Sequence, residues 1–175
     1  RTGLIGVEQA LNSCVALAML DAAGEHYRAH LDEARANLPS VSLPGRFQWI
    51  GKFVLDVAHN PAAVRTLVSS LDAVAVPRPI VAVLGVLRDK DWREIMRILC
   101  PSVDGTILTT PPSAPDARVW DAAEAARFGI ENGWNVRRVA DIRTAVKEAS
   151  DAAATVVITG SFHTVGDASL VIDAR

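Results

Sequence analysis

Val7, Ala10, Leu11, Cys14, Leu17, Ala18 and Leu20 recur at intervals of three and four, the stripe of an amphipathic helix, and Gly24 supplies its stop. A second helical stretch, near Tyr27 to Leu38, runs into Pro39. The segment "LPSVSLPGR" then interrupts every period with two prolines and Gly45, and it predicts a linker over 39–45. From Arg46 the pattern changes. "RFQWIGKFVLDV" predicts two strands turning at Gly51 and Lys52, and a helix follows from Pro61 to about Ala73, with proline at an early helical position where its missing N–H costs nothing. "PIVAVLG", "GTILTT", "NVRRV" and "TVVITG" are further short strand-like runs. "WREIMRILC", "RVWDAAEAARFG" and "IRTAVKEAS" lie between them at helical period, and a last helical segment closes the chain. Strands apolar on both faces and alternating with helices predict an α/β fold: a mostly parallel, Rossmann-like sheet with helices on both faces. The predicted units are 1–38, a pair of helices; 39–45, the linker; and 46–175, the α/β domain.

The 175 residues, half of them apolar, suffice for one sizeable core, or for one domain plus a piece of another. A net charge of -2, with acids and arginines interspersed, lacks the electrostatic footprint of a nucleic-acid or membrane-surface binder, so neither partner is expected. Cys14 and Cys100 stand in unrelated apolar settings without metal-ligand spacing. They read as reduced thiols filling a core, which fits a cytoplasmic protein. The apolar run Cys14 to Leu20 is far short of the ~20 residues of a membrane span. A start at Arg1 without Met suggests a trimmed or excised chain.

In a sheet of this kind ligands sit beyond the carboxyl ends of the strands. The residues there form a coherent set: Asp56 with "AHN"; Gly85 with "VLRDKDW"; Thr109 and Thr110; then Thr159, Gly160, Ser161 and His163. They include an acid able to accept hydrogen bonds from ribose hydroxyls, a lysine, Lys90, suited to a carboxylate or phosphate, and a Gly-Ser turn with backbone N–H groups for an anion. No G-x-x-x-x-G-K-[ST] loop occurs, nor a G-x-G-x-x-G after the first strand, a zinc-spaced cluster or a G-x-S-x-G elbow. The chain therefore lacks a recognisable triphosphate cradle of its own.

"GRFQWIGKFVLDVAHNPAA", "VLGVLRDKDW" and "ITGSFHTVGD", in that order, resemble the C-terminal domain of the dihydrofolate synthase and folylpolyglutamate synthase family, within the Mur ligase superfamily. "GVEQALNSCVALAML" is similar to the helix that ends that family's central ATPase domain. Valine at 57, where the family commonly has glycine, and histidine at 163, near which it often has tyrosine, are departures. The resemblance implies an ATP- and Mg2+-dependent ligase that phosphorylates the carboxylate of dihydropteroate or a folate and joins it to L-glutamate. It also implies that the phosphate loop and magnesium ligands belong to a missing N-terminal and central ATPase domain, so that this fragment alone is inactive.

By match to family positions, Asn12 would contact the adenine end of ATP, Arg46 its phosphates or ribose, and Asp56 the ribose, with His59 and Asn60 as neighbours. Lys90 and Ser161 are candidates for holding glutamate by analogy with the superfamily. Each has a plainer role open to it. Asn12 suits a helix surface, Arg46 a surface ion pair, Asp56 a helix cap and His59 a structural contact. Lys90 between Asp89 and Asp91 suits a solvated charge cluster, and Ser161 an N-cap. The four tryptophans are apart in sequence and fit core or interface anchoring. Two other functions remain open: a Mur-type amino-acid ligase of peptidoglycan synthesis, and a non-catalytic nucleotide-binding module.

Overall fold

Two beta strands meet at Gly51 and Lys52, the only two residues between them: β1 (Gln48–Ile50) and β2 (Phe53–Asp56). This computed structural model describes residues 2–173, so Arg1 and 174–175, the outer ends of the predicted units, lie outside the described residues. The strands β3 (Ile80–Leu84), β4 (Gly105–Leu108), β5 (Val136–Arg138) and β6 (Thr155–Thr159) join the pair in one sheet of order β1-β2-β6-β3-β4-β5. Only β1 runs antiparallel, at one edge. The mostly parallel α/β sheet expected from the apolar runs is the one observed.

Helices α1 (Val7–Ala22), α2 (Glu25–Arg28) and α3 (Leu31–Asn37) precede the sheet. The stretch expected as one helix from Tyr27 to Leu38 is thus two short ones, with Ala29 and His30 between them. Helices α4 (Pro61–Ala73), α5 (Trp92–Leu99), α6 (Ala122–Glu131), α7 (Ile142–Ala152) and α8 (Phe162–Asp173) alternate with the strands. Helix α6 starts four residues later than Arg118. Asp121 caps it by accepting from Ala123 and Glu124 N–H, while Val119 bridges to Leu87 across the chain. A side chain that satisfies the first free N–H groups sets the start more firmly than apolar period does.

Side chains alternate across the strands, so each face builds its own core. Val54, Ala82, Leu84 and Val157 point to the face covered by α4 and α5, where Val64, Leu67, Ile95, Met96 and Leu99 pack. Leu55, Val83, Val156 and Ile158 point to the other, against Ala145, Val146 and Ala149 of α7 and Val165 and Ala168 of α8. Lys52, in the hairpin turn, donates to the carbonyls of Ser150 and Ala153 and so ties β1 and β2 to the end of α7. Those are carbonyls that a helix end leaves without intrahelical partners, at the pole that favours a cation.

Packing adds what spacing along the chain did not show. Three of the four tryptophans gather in space: Trp92 meets Trp120 edge to face at 6.2 Å and Phe128 at 5.5 Å, and Phe128 meets Trp134 at 5.8 Å, while Trp49 packs with Phe47. Cys100 is buried as expected, its thiol pushed up to about 11 by burial, but Cys14 lies exposed on α1. The helix explains this. Val7, Leu11, Val15 and Met19, each four residues apart, are 84%, 58%, 50% and 67% exposed.

Candidate functional site

Asp56, Thr159 and Leu84 stand in register at the carboxyl ends of β2, β6 and β3. Strand order reverses here, because the chain leaves β2 for β3, builds outward to β5 and returns with β6 between them. Loops on either side of such a reversal part and leave a crevice. The approach beneath it is close. A Cβ on Gly160 would lie 2.5 Å from the Gly85 carbonyl oxygen, and Gly160 holds φ at +108°. Thr164 hydroxyl donates to that same Gly85 oxygen at 2.7 Å and meets the Ser161 hydroxyl at 2.8 Å.

Asp56 uses both carboxylate oxygens on backbone: Oδ2 accepts from Phe47 N–H and Oδ1 from Ala58 N–H, each at 2.9 Å. The first bond holds a turn in which Gly45 and Phe47 have φ of 66° and 47°. Phe47, a bulky residue in the left-handed region, needs such a restraint. Val57 packs against Gly45, where a Cβ would come within 2.6 Å of it, and Val57 N–H donates to Gly45 oxygen at 2.9 Å. Arg46, at the apex, forms no ion pair among the described residues. Burial raises the Asp56 pKa above the ordinary 3.8, opposed by the two N–H bonds and the Arg46 charge. Each oxygen keeps a lone pair beyond its backbone bond, so the carboxylate can still accept from hydroxyl groups.

A cleft of about 420 Å³ opens beside this turn, lined by Arg46, Phe47, Asp56, Asn60 and Thr66, with Glu8 and Gln9 of the α1 region opposite. Asn60 is the N-cap of α4, its Oδ1 accepting from Ala63 N–H at 2.9 Å, with Pro61 next. Asn12 does not line the cleft. It is exposed on α1, its amide 3.4 Å from Gln9 Oε1.

A second, smaller cleft of about 190 Å³ holds His59, Lys90, Arg118, Phe162 and His163 around Ser161. His59 Nδ1 lies 3.0 Å from the Val57 carbonyl oxygen. A carbonyl only accepts, so Nδ1 carries the proton there and Nε2 is the nitrogen left for a ligand. His59, grouped by the sequence with the nucleotide residues, thus lines the cleft of Lys90 and Ser161. Ser161 is buried and its hydroxyl accepts from Thr164 N–H at 3.0 Å, an N-cap of α8. Lys90 pairs with Asp89 at 3.2 Å, and Arg118 grips the same carboxylate through Nε and Nη2 at 2.8–2.9 Å. Arg118 first, and then Lys90, hold Asp89 below the usual carboxylate range.

In the smaller cleft, Arg118 and Phe162 were not singled out by the sequence, and in the larger one neither were Glu8, Gln9, Phe47 and Thr66. Arg118 ends the proline-rich loop after β4 and opens the run read as the next helix, so the cue was a cation at a loop end near the strand tips. Phe162 is a lone aromatic, a type with no polar signature. Among the described residues no group of three His, Cys, Asp or Glu side chains could hold a metal ion. No helix of the described residues is long and apolar enough to cross a membrane.

Residues 45–162 match the family model of the Mur ligase glutamate ligase domain. The chain is 34% identical over 167 residues to the Escherichia coli (strain K12) dihydrofolate synthase/folylpolyglutamate synthase, covering 94% of this chain and 38% of that protein. The Mycobacterium tuberculosis folylpolyglutamate synthase complexed with ADP and AMPPCP superposes with a TM-score of 0.80 at 31% identity, over 97% of this chain and 41% of that one. The E. coli FolC structure with DHPP and ADP gives 0.76 at 34% identity, over 94% and 39%. The chain therefore spans about two fifths of the length of these relatives.

Proposed function

The chain belongs to the Mur ligase family through its glutamate ligase domain, and from that premise we propose that it is the C-terminal part of an ATP-dependent ligase joining L-glutamate to dihydropteroate or a folate. One observation carries the reading. Two clefts draw on the segment at the carboxyl end of β2, one offering Asp56 and Arg46, the other Lys90, His59 and Arg118. The first suits a ribose and a phosphate, the second a doubly carboxylated amino acid. The relatives' complexes with ADP and DHPP support both nucleotide and pteroate-type ligands for the intact protein.

ATP, when bound, supplies the phosphoryl group that turns the acceptor carboxylate into an acyl phosphate, and phosphate then leaves as the glutamate nitrogen bonds to the carbonyl carbon. The residues of this chain bind and orient. Arg46 would neutralise phosphate charge, Asp56 would accept from ribose hydroxyls while keeping the Arg46 turn in shape, and Lys90 with Arg118 would hold glutamate carboxylates. His59 Nε2 would face the amino acid, Asn60 would flank the nucleotide, and Asn12, outside the cleft on α1, would reach only its adenine end. Ser161 would fix the first turn of α8, whose exposed backbone N–H groups add donors.

Mg2+ ligands are proposed for the segment that the relatives have and this chain lacks. The four exposed apolar residues of α1 would pack on that segment, making residues 1–38 the end of its ATPase domain and 39–45 the linker to the domain at 46–175. A cytoplasmic location follows from the substrates. The test uses the full-length protein with an acceptor labelled with 18O in its carboxylate. One labelled oxygen should appear in inorganic phosphate per amide formed; unlabelled phosphate beside newly formed amide would remove the acyl phosphate and the reading with it.

A further inference from the structure

Phe162 is 63% exposed, and its ring is near one side chain from each cleft. The Arg46 guanidinium carbon is 6.0 Å from the ring centre, and the His59 ring is 6.1 Å away at an interplanar angle of 37°. Arg46 lines the larger cleft, whereas His59 and Phe162 line the smaller. In the ligase reading the reacting carboxylate takes phosphate from the nucleotide that Arg46 serves and is attacked by the amino acid that His59 faces, so it would react close to this ring. Ser161, by capping α8 and bonding to Thr164, fixes the ring's backbone, so the platform is held by a buried hydroxyl pair and not by a loose loop.

We propose that Phe162 is a specificity-determining residue that packs against the group bearing the reacting carboxylate and favours acceptors in which that group is aromatic. This rests on the ligase reading above. In dihydropteroate the carboxylate sits directly on a benzene ring, which gives an aromatic face or edge to stack against. In a folate extended at its glutamate, the reacting carboxylate ends a methylene chain and offers only slender apolar contact. The same phenyl ring therefore discriminates between two acceptors that share one ligation chemistry.

The test compares the full-length wild type with Phe162→Ala, Phe162→Leu and Phe162→Tyr, measuring glutamate-dependent ADP release with dihydropteroate and, separately, a reduced folate monoglutamate. Phe162→Ala and Phe162→Leu should lower kcat/KM for dihydropteroate roughly tenfold, and that for the folate less than about threefold, with the ATP KM unchanged. Phe162→Tyr, keeping the ring, should keep the wild-type ratio. Equal losses with both acceptors, or none, would overturn the proposal. So would an unchanged ratio with a lowered unfolding midpoint, which would assign the ring to packing against the rest of the protein. Wild-type protein silent with both acceptors would instead sink the ligase reading itself, an outcome seen before any variant is made.

Discussion

Replacing Gly160 by alanine tests the close approach that floors the crevice. The added Cβ would sit 2.5 Å from Gly85 oxygen, 2.8 Å from Leu84 Cδ1 and 2.9 Å from Gly85 carbon, and the residue would have to keep φ near +108°. The backbone conformation alone costs about 1–3 kcal/mol for a residue with a side chain. Relieving a clash with main-chain atoms, which cannot rotate away, adds about 1–3 kcal/mol. The sum for Gly160→Ala is roughly 2–6 kcal/mol. Gly133 separates the two terms, because it has φ of +75° with nothing within 4 Å of its Cβ position. Gly133→Ala should cost only about 1–2 kcal/mol. Gly166, inside α8 with negative φ and open space, should gain about 0.5–1 kcal/mol on becoming alanine. Urea unfolding followed by circular dichroism orders the three: Gly166→Ala above wild type, Gly133→Ala below it, Gly160→Ala lowest. A Gly160→Ala midpoint at or above that of Gly133→Ala would refute the contact between the loops after β3 and β6.

Other consequences follow from single bonds. Asn60→Ala removes the cap of α4 and should cost about 1 kcal/mol, read as a lowered urea midpoint, with Asn60→Asp close to wild type. Lys52→Met strips the donor from the Ser150 and Ala153 carbonyls and should cost about 1–2 kcal/mol in the same assay. Acid titration has a sign set by Asp104, Asp121 and Asp141, whose pKa values lie below 3.8 because of, respectively, the Ile80 N–H, the Glu124 N–H and the Thr144 hydroxyl. Their stabilisation is complete above the ordinary carboxylate value and drains as pH falls through the lower folded values, so unfolding monitored by fluorescence should set in below pH 3.8. Asp56 has the opposite sign: its raised pKa means that the folded state takes up its proton first, and it adds nothing to this acid transition. In the full-length protein, Asp56→Ala should raise the ATP KM by more than about tenfold while the fold survives; an unchanged KM would leave the carboxylate a turn clamp only.

The sheet was readable because its strands are short apolar runs with turn residues between them, and all six expected strands are present. The break of α2 from α3 was not, since both lie in a polar, exposed segment where no apolar stripe marks the kink. The α1 stripe is apolar as its period indicates, but Cys14 within it is exposed and not the core filler expected. Period reports which face of a helix is apolar, not whether anything covers it. At the site, Asp56, Lys90 and His59 could be found because acids, lysines and histidines at strand ends are chemically conspicuous. Their grouping could not: His59 is one residue from Asn60, yet the extended backbone at the start of α4 sends the two to different clefts. Ser161 takes the N-cap role that the sequence left open, whereas the cap of the helix after β2, left open for Asp56, falls to Asn60.

The central claim is that the two clefts are halves of one ligation site. The most direct measurement is ADP release by the full-length protein with ATP and a divalent cation, with glutamate and acceptor each omitted in turn. The account predicts release only when glutamate and either dihydropteroate or a reduced folate are both present. Release that ignores glutamate, or its absence from a folded protein supplied with both acceptors, would contradict it.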